Sequence, residues 1–414
     1  MEPLLRAGFS RLVVRGSLEI VTSQGRRLSF GDGAGDKVVI RFTDPRAELE
    51  LALHPELKFG ELFTDGRLIV ERGTVYDFLV LASQTAREPD TFFLSRLADS
   101  LRMSAARHFP RNTPTQARRD ISHHYDLGDD LYALFLDPDW QYSCAYFETP
   151  TQTLASAQLA KKRHIAAKLL IQPGQRILDI GCGWGGLAIY LAKTTAAGRV
   201  VGVTLSQAQI ARARQRVASE ELSHVDFRLE DYRASQGTYD RIVSVGMFVH
   251  VGLAHYPAFF STCHRLLAKD GVALLHTIGS PGPPGPTNAW ATKHIFPGGH
   301  IPSLSDIVAP MERAGLIITD VETLGPHYAL TLREWRTAFL ANREAAARLY
   351  DERFCRMWEY YLSASEAAFR ANDITLFQIQ FAHQRESLPL TRDYILAAEA
   401  DLRRRETARE TPTR

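Results

Sequence analysis

The sequence lacks any run approaching the ~18 consecutive apolar residues of a membrane span. Its first residues, MEPLLRAGFSRL, carry no long apolar segment of the kind that opens a secretory signal. The expectation is a cytoplasmic protein that meets lipid, if at all, from the water side. Charge of one sign is also missing. Lys and Arg number 49 against 47 Asp and Glu, and a formal net charge of +2 leaves no overall nucleic-acid footprint. Cysteine is scarce: four residues, at 144, 182, 263 and 355. They form no CxxC pair and no other metal-type spacing, so no metal site is expected and the thiols read as reduced. No internal repeat is evident.

What is present fits a globular chain of two domains with ample core: 414 residues, 45% apolar and 23% charged. Positive charge gathers locally, in RHFPRNTPTQARR (107–119), KKRH (161–164) and RARQR (212–216). Each cluster reads either as a solvated face or as attraction to an anionic membrane surface.

Texture divides the chain. Residues 1–105 read as a small α+β domain. The runs GSLEIVTS, DKVVIRFT, AELELALH and GRLIVERG suggest strands, and YDFLVLASQTA (76–86) suggests a helix. Residues 106–122 read as a basic linker. Residues 123–390 read as the second domain, and from about 165 to 330 strands and helices alternate as in an open, mostly parallel α/β sheet. Its candidate strands are RILDI, RVVGVTL, VDFRLE, DRIVSVG, GVALLHTIG and ITDVETL. LSQAQIARARQRV opens on a capping-box pattern, Ser206-x-x-Gln209. Residues 331–381 read as mainly helical and 391–414 as a polar tail, of which LRRRETARETPTR reads as frayed.

The informative stretch is ILDIGCGWGG (177–186). Gly181, Gly183 and Gly186 satisfy G-x-G-x-x-G between a strand and a helix, so a ligand approaches the backbone closely. A P-loop is excluded because no Lys-Ser/Thr follows. A NAD site asks for an acidic residue at the end of the next strand. That strand ends instead in Thr204 and Ser206. Asp179-x-Gly181-x-Gly183-x-Gly185 is the arrangement typical of S-adenosylmethionine methyltransferases.

Several longer segments carry a resemblance. HHYDLGDDLYALFLDPDWQYSCAYF (123–147), ILDIGCGWGGLA, VVGVTLSQAQ, DRIVSVGMF, LLHTIG, IFPGGHIPS and HYALTLREW follow in order, and EYYLSASEAAFRANDITLFQIQF closes the set. Together they resemble the cyclopropane fatty acid synthases and the mycolic-acid cyclopropane synthases. The resemblance covers about 120 to 385; the N-terminal region resembles the extra domain of the longer bacterial synthases. It implies a Rossmann-like class I methyltransferase domain. It also implies one-carbon transfer from S-adenosylmethionine to an acyl double bond of a membrane phospholipid, with bound bicarbonate taking the ring-closing proton. The protein would sit peripherally on the inner membrane face, with a homodimer as a further partner and no nucleic acid.

Carried over residue by residue, the resemblance places Cys144, His276, Ile278 (through its backbone) and Tyr328 at the bicarbonate site. It places Tyr142, Ser143, Asp179, Gly181, Gly183, Thr204, Gln209, Asp231 and Tyr232 around the cofactor. Taken singly, the first group also reads as a small buried thiol, a core histidine and packing residues. One position departs from the pattern: VGMFVHVG has Val249 where the family has glutamate. Valine offers the anion no hydrogen bond, so a methylated alkene or branched product, or an inactive lipid- or cofactor-binding homologue, stand as alternatives. Ser365 replaces a cysteine of some members, which a mechanism without an enzyme nucleophile does not need. Trp290, Phe296, Phe369, Phe377 and Phe381 are candidates to line the acyl path, and 281–302, rich in Pro and Gly, reads as a cover.

Overall fold

The computed structural model describes residues 2–83 and 128–410. The expected linker, the 107–119 basic cluster and residues 123–127 therefore lie outside the described residues. The chain divides into two compact units. One comprises Met1–Leu101, Thr287–Pro297 and Ala329–Ile374; the other comprises Arg102–Pro286, Gly298–Tyr328 and Thr375–Arg414.

The first unit holds a four-stranded sheet in the order β2-β1-β3-β4, from Ser17–Val21 (β1), Arg27–Phe30 (β2), Lys37–Phe42 (β3) and Leu68–Arg72 (β4). AELELALH, expected as a strand from its alternation, instead lies in the helix Pro45–Leu53 up to its C-cap, His54. The reason lies just upstream. Asp44 caps the helix by accepting from the Ala47 N–H at 2.8 Å, and Pro45 takes the first turn, where its missing N–H costs nothing. The unit's core draws on distant sequence: the Tyr360 ring lies 5.9 Å from Phe59 and 4.5 Å from Trp290. The unit is thus not confined to residues 1–105. Trp290 and Phe369 are buried within it, and Phe296 meets Tyr361 at 5.8 Å.

The second unit carries seven strands: Arg176–Ile180 (β5), Arg199–Thr204 (β6), Val225–Leu229 (β7), Tyr239–Val245 (β8), Leu267–Gly279 (β9), Ile317–Thr323 (β10) and Thr375–Ala382 (β11). Their order is β10-β11-β9-β8-β5-β6-β7, parallel from β9 through β7 and antiparallel at β11. This is the mostly parallel α/β sheet expected. β11 is a correction, since its residues fell in a stretch read as mainly helical. TLFQIQFA is wholly buried and pairs on both sides, a setting that favours a strand whatever helices precede it. Phe377 and Phe381 pack in this sheet's core.

Helices cover both faces. Leu154–Leu169, Gly186–Thr194 and Asp393–Glu410 bury one set of side chains, including Ile165, Leu191, Ile395 and Leu402. Tyr256–Leu266 and Leu304–Arg313 bury another, including Phe260 and Met311. The frayed tail is a second correction. Residues 393–410 form a helix because Ile395, Ala398, Glu399, Leu402 and Glu406 repeat at helical spacing toward the core.

KKRH is neither a solvated face nor a membrane contact: Lys161, Lys162, Arg163 and His164 are all buried. Arg163 pairs with Glu406 at 2.8 Å, and His164 lies 2.8 Å from Glu322 and 2.6 Å from Glu399. RARQR is likewise engaged internally: Arg212 lies 3.5 Å over the Trp140 ring, Arg214 donates to the Phe227 carbonyl, and Arg216 pairs with Asp139.

Candidate active site

The chain order reverses between β5 and β8, and ligands in such sheets bind beyond the carboxyl ends of the strands at that switch point. Here a cleft opens at that place, and all nine residues expected at the cofactor line it. β5 ends on Asp179 and Ile180, and the turn that follows holds Gly181 at φ 82 and Gly183 at φ 53. A side chain on Gly181 would meet Met247 Cβ at 2.6 Å, whereas a Cβ on Gly183 would have no neighbour within 4 Å. The first glycine closes the turn and the second leaves backbone open to the cleft.

Asp179 is buried, and its Oδ2 has no hydrogen-bond partner among the described residues. Burial pushes its carboxyl up to about 7, with Lys161 pulling the other way. An orphaned buried carboxylate of this kind fits a ligand carrying a cationic group.

Beyond β6, Thr204 donates to Gln209 Oε1 at 3.0 Å and accepts from the Ser206 N–H at 3.3 Å. Ser206 caps the helix Gln207–Ser219, but Gln209 does not return the capping bond; its side chain turns to Thr204 instead. Beyond β7, Asp231 caps a short turn and is bound by the Arg233 guanidinium at 2.6 Å, while Tyr232 meets Phe259 edge-on at 5.4 Å. Burial pushes His250, also in the lining, down to about 4.

Tyr142 and Ser143 reach the cleft from the segment before the helix Leu154–Leu169, and that helix clamps them. Gln158 Nε2 donates to the Ser143 carbonyl at 2.9 Å, and Lys161 Nζ donates to Ser143 Oγ at 2.8 Å and Gln141 Oε1 at 2.6 Å. Lys161 itself lines the cleft, and burial lowers its ammonium to about 8. The sequence reading missed both side chains.

The four residues expected at the anion lie beside this cleft rather than in its lining. Cys144, Ile278 and Tyr328 pack into one apolar cluster with Leu324 and Leu376. His276 is two residues from Ile278 and so on the same face of β9. Its carbonyl accepts from the Gly246 N–H at 2.9 Å, and Gly246 lines the cleft. His276 Nδ1 lies 3.2 Å from Gln378 Nε2, and its buried Nε2 has no partner among the described residues. Burial holds its pKa well below the ordinary histidine value. Tyr146, two residues past Cys144, is sandwiched between His164 at 4.3 Å and His327 at 4.9 Å. Val249 is half-buried in the turn after β8, and its carbonyl accepts from the His300 N–H at 3.0 Å.

The family described as mycolic acid cyclopropane synthetase matches residues 112–379. The chain belongs to that family. It is 40% identical over 345 residues to the cyclopropane-fatty-acyl-phospholipid synthase of Escherichia coli strain K12, covering 83% of this chain and 87% of that one. It is 36% identical to the tuberculostearic acid methyltransferase UfaA1 of Mycobacterium tuberculosis, covering 87% and 86%. The solved mycolic acid cyclopropane synthase CmaA1 complexed with SAH and CTAB aligns at 38% identity and a TM-score of 0.61, over 64% of this chain and 97% of that chain. A coclaurine N-methyltransferase structure at 21% identity and a TM-score of 0.65 shares the fold. The fold is that of the class I methyltransferases. No helix among the described residues is long and apolar enough to cross a membrane.

Proposed function

We propose that this chain transfers a one-carbon unit from S-adenosylmethionine to the double bond of an unsaturated phospholipid acyl chain and closes a cyclopropane ring. As a member of its family it is an S-adenosylmethionine-dependent methyltransferase. The observation that carries the reading is the adjacency of two sites. The cleft beyond β5 is joined to the Cys144–Ile278–Tyr328 cluster through the bond from Gly246 to the His276 carbonyl.

When bound, S-adenosylmethionine supplies an electrophilic methyl group, and bicarbonate supplies a base. In the reading proposed, Asp179 holds the cofactor's amino group, the Gly181–Gly183 backbone approaches it, and Thr204, Gln209, Asp231 and Tyr232 line its nucleoside end. Ser143 and Tyr142 separate it from the anion site. An alkene that gains a methyl group carries positive charge until a proton leaves, so water must be kept off. Cys144, Leu324 and Leu376 are nearly fully buried and do this. His276, Tyr328 and the backbone at Ile278 supply the polar contacts that orient a small anion there. Because the double bond lies in hydrocarbon, contact with the membrane surface belongs to the same reading.

The test is direct. The protein is incubated with S-adenosylmethionine and unsaturated phospholipid vesicles, and the acyl chains are weighed and examined by NMR. A gain of one CH₂ with cyclopropyl signals is expected. No gain, or a gain with methyl-alkene signals, overturns the reading.

A further inference from the structure

We infer that Gln378 is a positioning residue that fixes the tautomer of His276, making it a hydrogen-bond donor at Nε2 toward the anion. This rests on the site proposed above and adds to it the residue that sets the orientation and tautomer of the imidazole.

Gln378 on β11 and His276 on β9 stand directly opposite in an antiparallel register, so their side chains share one face of the sheet. Gln378 Nε2 is 3.2 Å from His276 Nδ1, and both residues are buried. An amide nitrogen donates and cannot accept. With the amide nitrogen facing the ring, Nδ1 offers its lone pair and the ring proton resides on Nε2, while the Gln378 Oε1 turns away and has no hydrogen-bond partner among the described residues. That Nε2 has no hydrogen-bond partner among the described residues, although it is buried. A buried donor left unmatched on the face shared with Ile278 points to an acceptor bound there.

The surroundings keep the ring neutral. Burial acts first, and Lys161, Lys168 and His164 on the facing helix oppose a second proton, with Glu322 on β10 acting weakly the other way. The neighbouring Gln380 shows what the same residue type does without a histidine: it donates to the Lys168 carbonyl and to Tyr394 Oη at 2.7 Å. With Nδ1 occupied and Nε2 protonated, His276 has no free lone pair. It orients the proton acceptor and is not itself the base.

The test uses the full chain with ¹⁵N-labelled histidine, His276 being assigned by difference from His276→Asn. The expected spectrum has a pyrrole-type Nε2 and a pyridine-type Nδ1. Gln378→Glu replaces a donor by an acceptor of the same shape. It is expected to move the proton to Nδ1 or create an imidazolium, and to add an ionisation to the pH profile of kcat/KM. Gln378→Leu is expected to lower kcat about tenfold, the worth of one buried hydrogen bond, with S-adenosylmethionine affinity within about twofold. A proton on Nδ1 in the unaltered protein overturns the inference. So does a Gln378→Glu protein with unchanged His276 signals and pH profile. If Gln378→Leu does not fold, Gln378→Glu carries the test. Should His276→Ala keep full ring formation, the site reading fails instead, whatever the spectrum shows.

Discussion

Lys161 Nζ bonds Ser143 Oγ at 2.8 Å, so a fully buried ammonium on a helix fixes the residue that separates the cofactor cleft from Cys144. The same charge bears on Asp179, whose carboxyl it partly relieves of the cost of burial. One side chain thus holds the wall and tunes the carboxylate across it.

Lys161→Met should therefore weaken both stability and binding. Removing the buried cation alone leaves the Ser143 and Gln141 acceptors unmatched and Asp179 without its relief, which should cost about 1–3 kcal/mol of stability. Cofactor affinity should fall roughly tenfold, because Ser143 loses a charge-assisted bond worth ~1.5 kcal/mol or more. Denaturant unfolding and calorimetric titration measure the two effects. Unchanged affinity in a folded variant would refute the clamp.

Asp179 predicts a pH dependence of cofactor binding. Its carboxyl sits at about 7 in the cofactor-free chain, raised from 3.8. A cationic group needs the ionised form, so affinity should weaken about tenfold per pH unit below that value. Binding near pH 6.5 should release a proton, visible as a buffer-dependent enthalpy. Asp179→Asn should bind about 10- to 100-fold more weakly and lose the pH dependence. For the cofactor-free chain the raised value means that stability declines as pH rises from about 4 toward 7.

The charged cluster around His164 predicts a stability window. Burial lowers the imidazole's pKa, and the bonds to Glu322 and Glu399 more than offset it, leaving the pKa raised. Its contribution is full below the ordinary histidine value and is lost as pH climbs through the raised one. Glu322 is held down to about 2 from 4.5, against its own burial, by His164 and Lys168. Its contribution is present above 4.5 and is lost as pH falls toward 2. The urea midpoint should therefore peak between these limits. His164→Ala leaves Glu399 without its cation, while Glu322 keeps Lys168, and should cost about 3–5 kcal/mol. A midpoint indifferent to pH would count against the network.

Val249→Glu should lower the bicarbonate needed for half-maximal activity by roughly tenfold or more, the worth of one hydrogen bond to a charged group. The assay is ring formation against bicarbonate concentration. An unchanged requirement in a folded variant means that residue 249 does not face the anion.

The parts of the site that the sequence showed are those written in local grammar. Asp179 near the end of β5 leads directly into the Gly181–Gly183 turn, Thr204 ends β6, and Asp231 lies just past β7. Lys161 and Gln158 stayed hidden because a charged or amide residue on a helix reads as surface. What buries Lys161 is a partner 18 residues away, and His164 meets carboxylates 158 and 235 residues away. Alternation misled at AELELALH, where the Asp44–Pro45 cap outweighed it. In the first unit, Tyr360 joins Phe59 across three hundred residues of sequence, and no pattern near either residue announces the other.

The late strand has a consequence for biosynthesis. β11 lies between β9 and β10, so the hydrophobic sheet cannot be completed until Thr375–Ala382 has left the ribosome, long after β5 to β9. Until then β9 presents an unpaired edge carrying Val272, Leu274, Leu275 and Ile278, the sort of template on which nascent chains aggregate. A premature stop anywhere before Thr375 should yield insoluble material rather than a weakened enzyme, and maturation should lean on chaperones that shield an open strand.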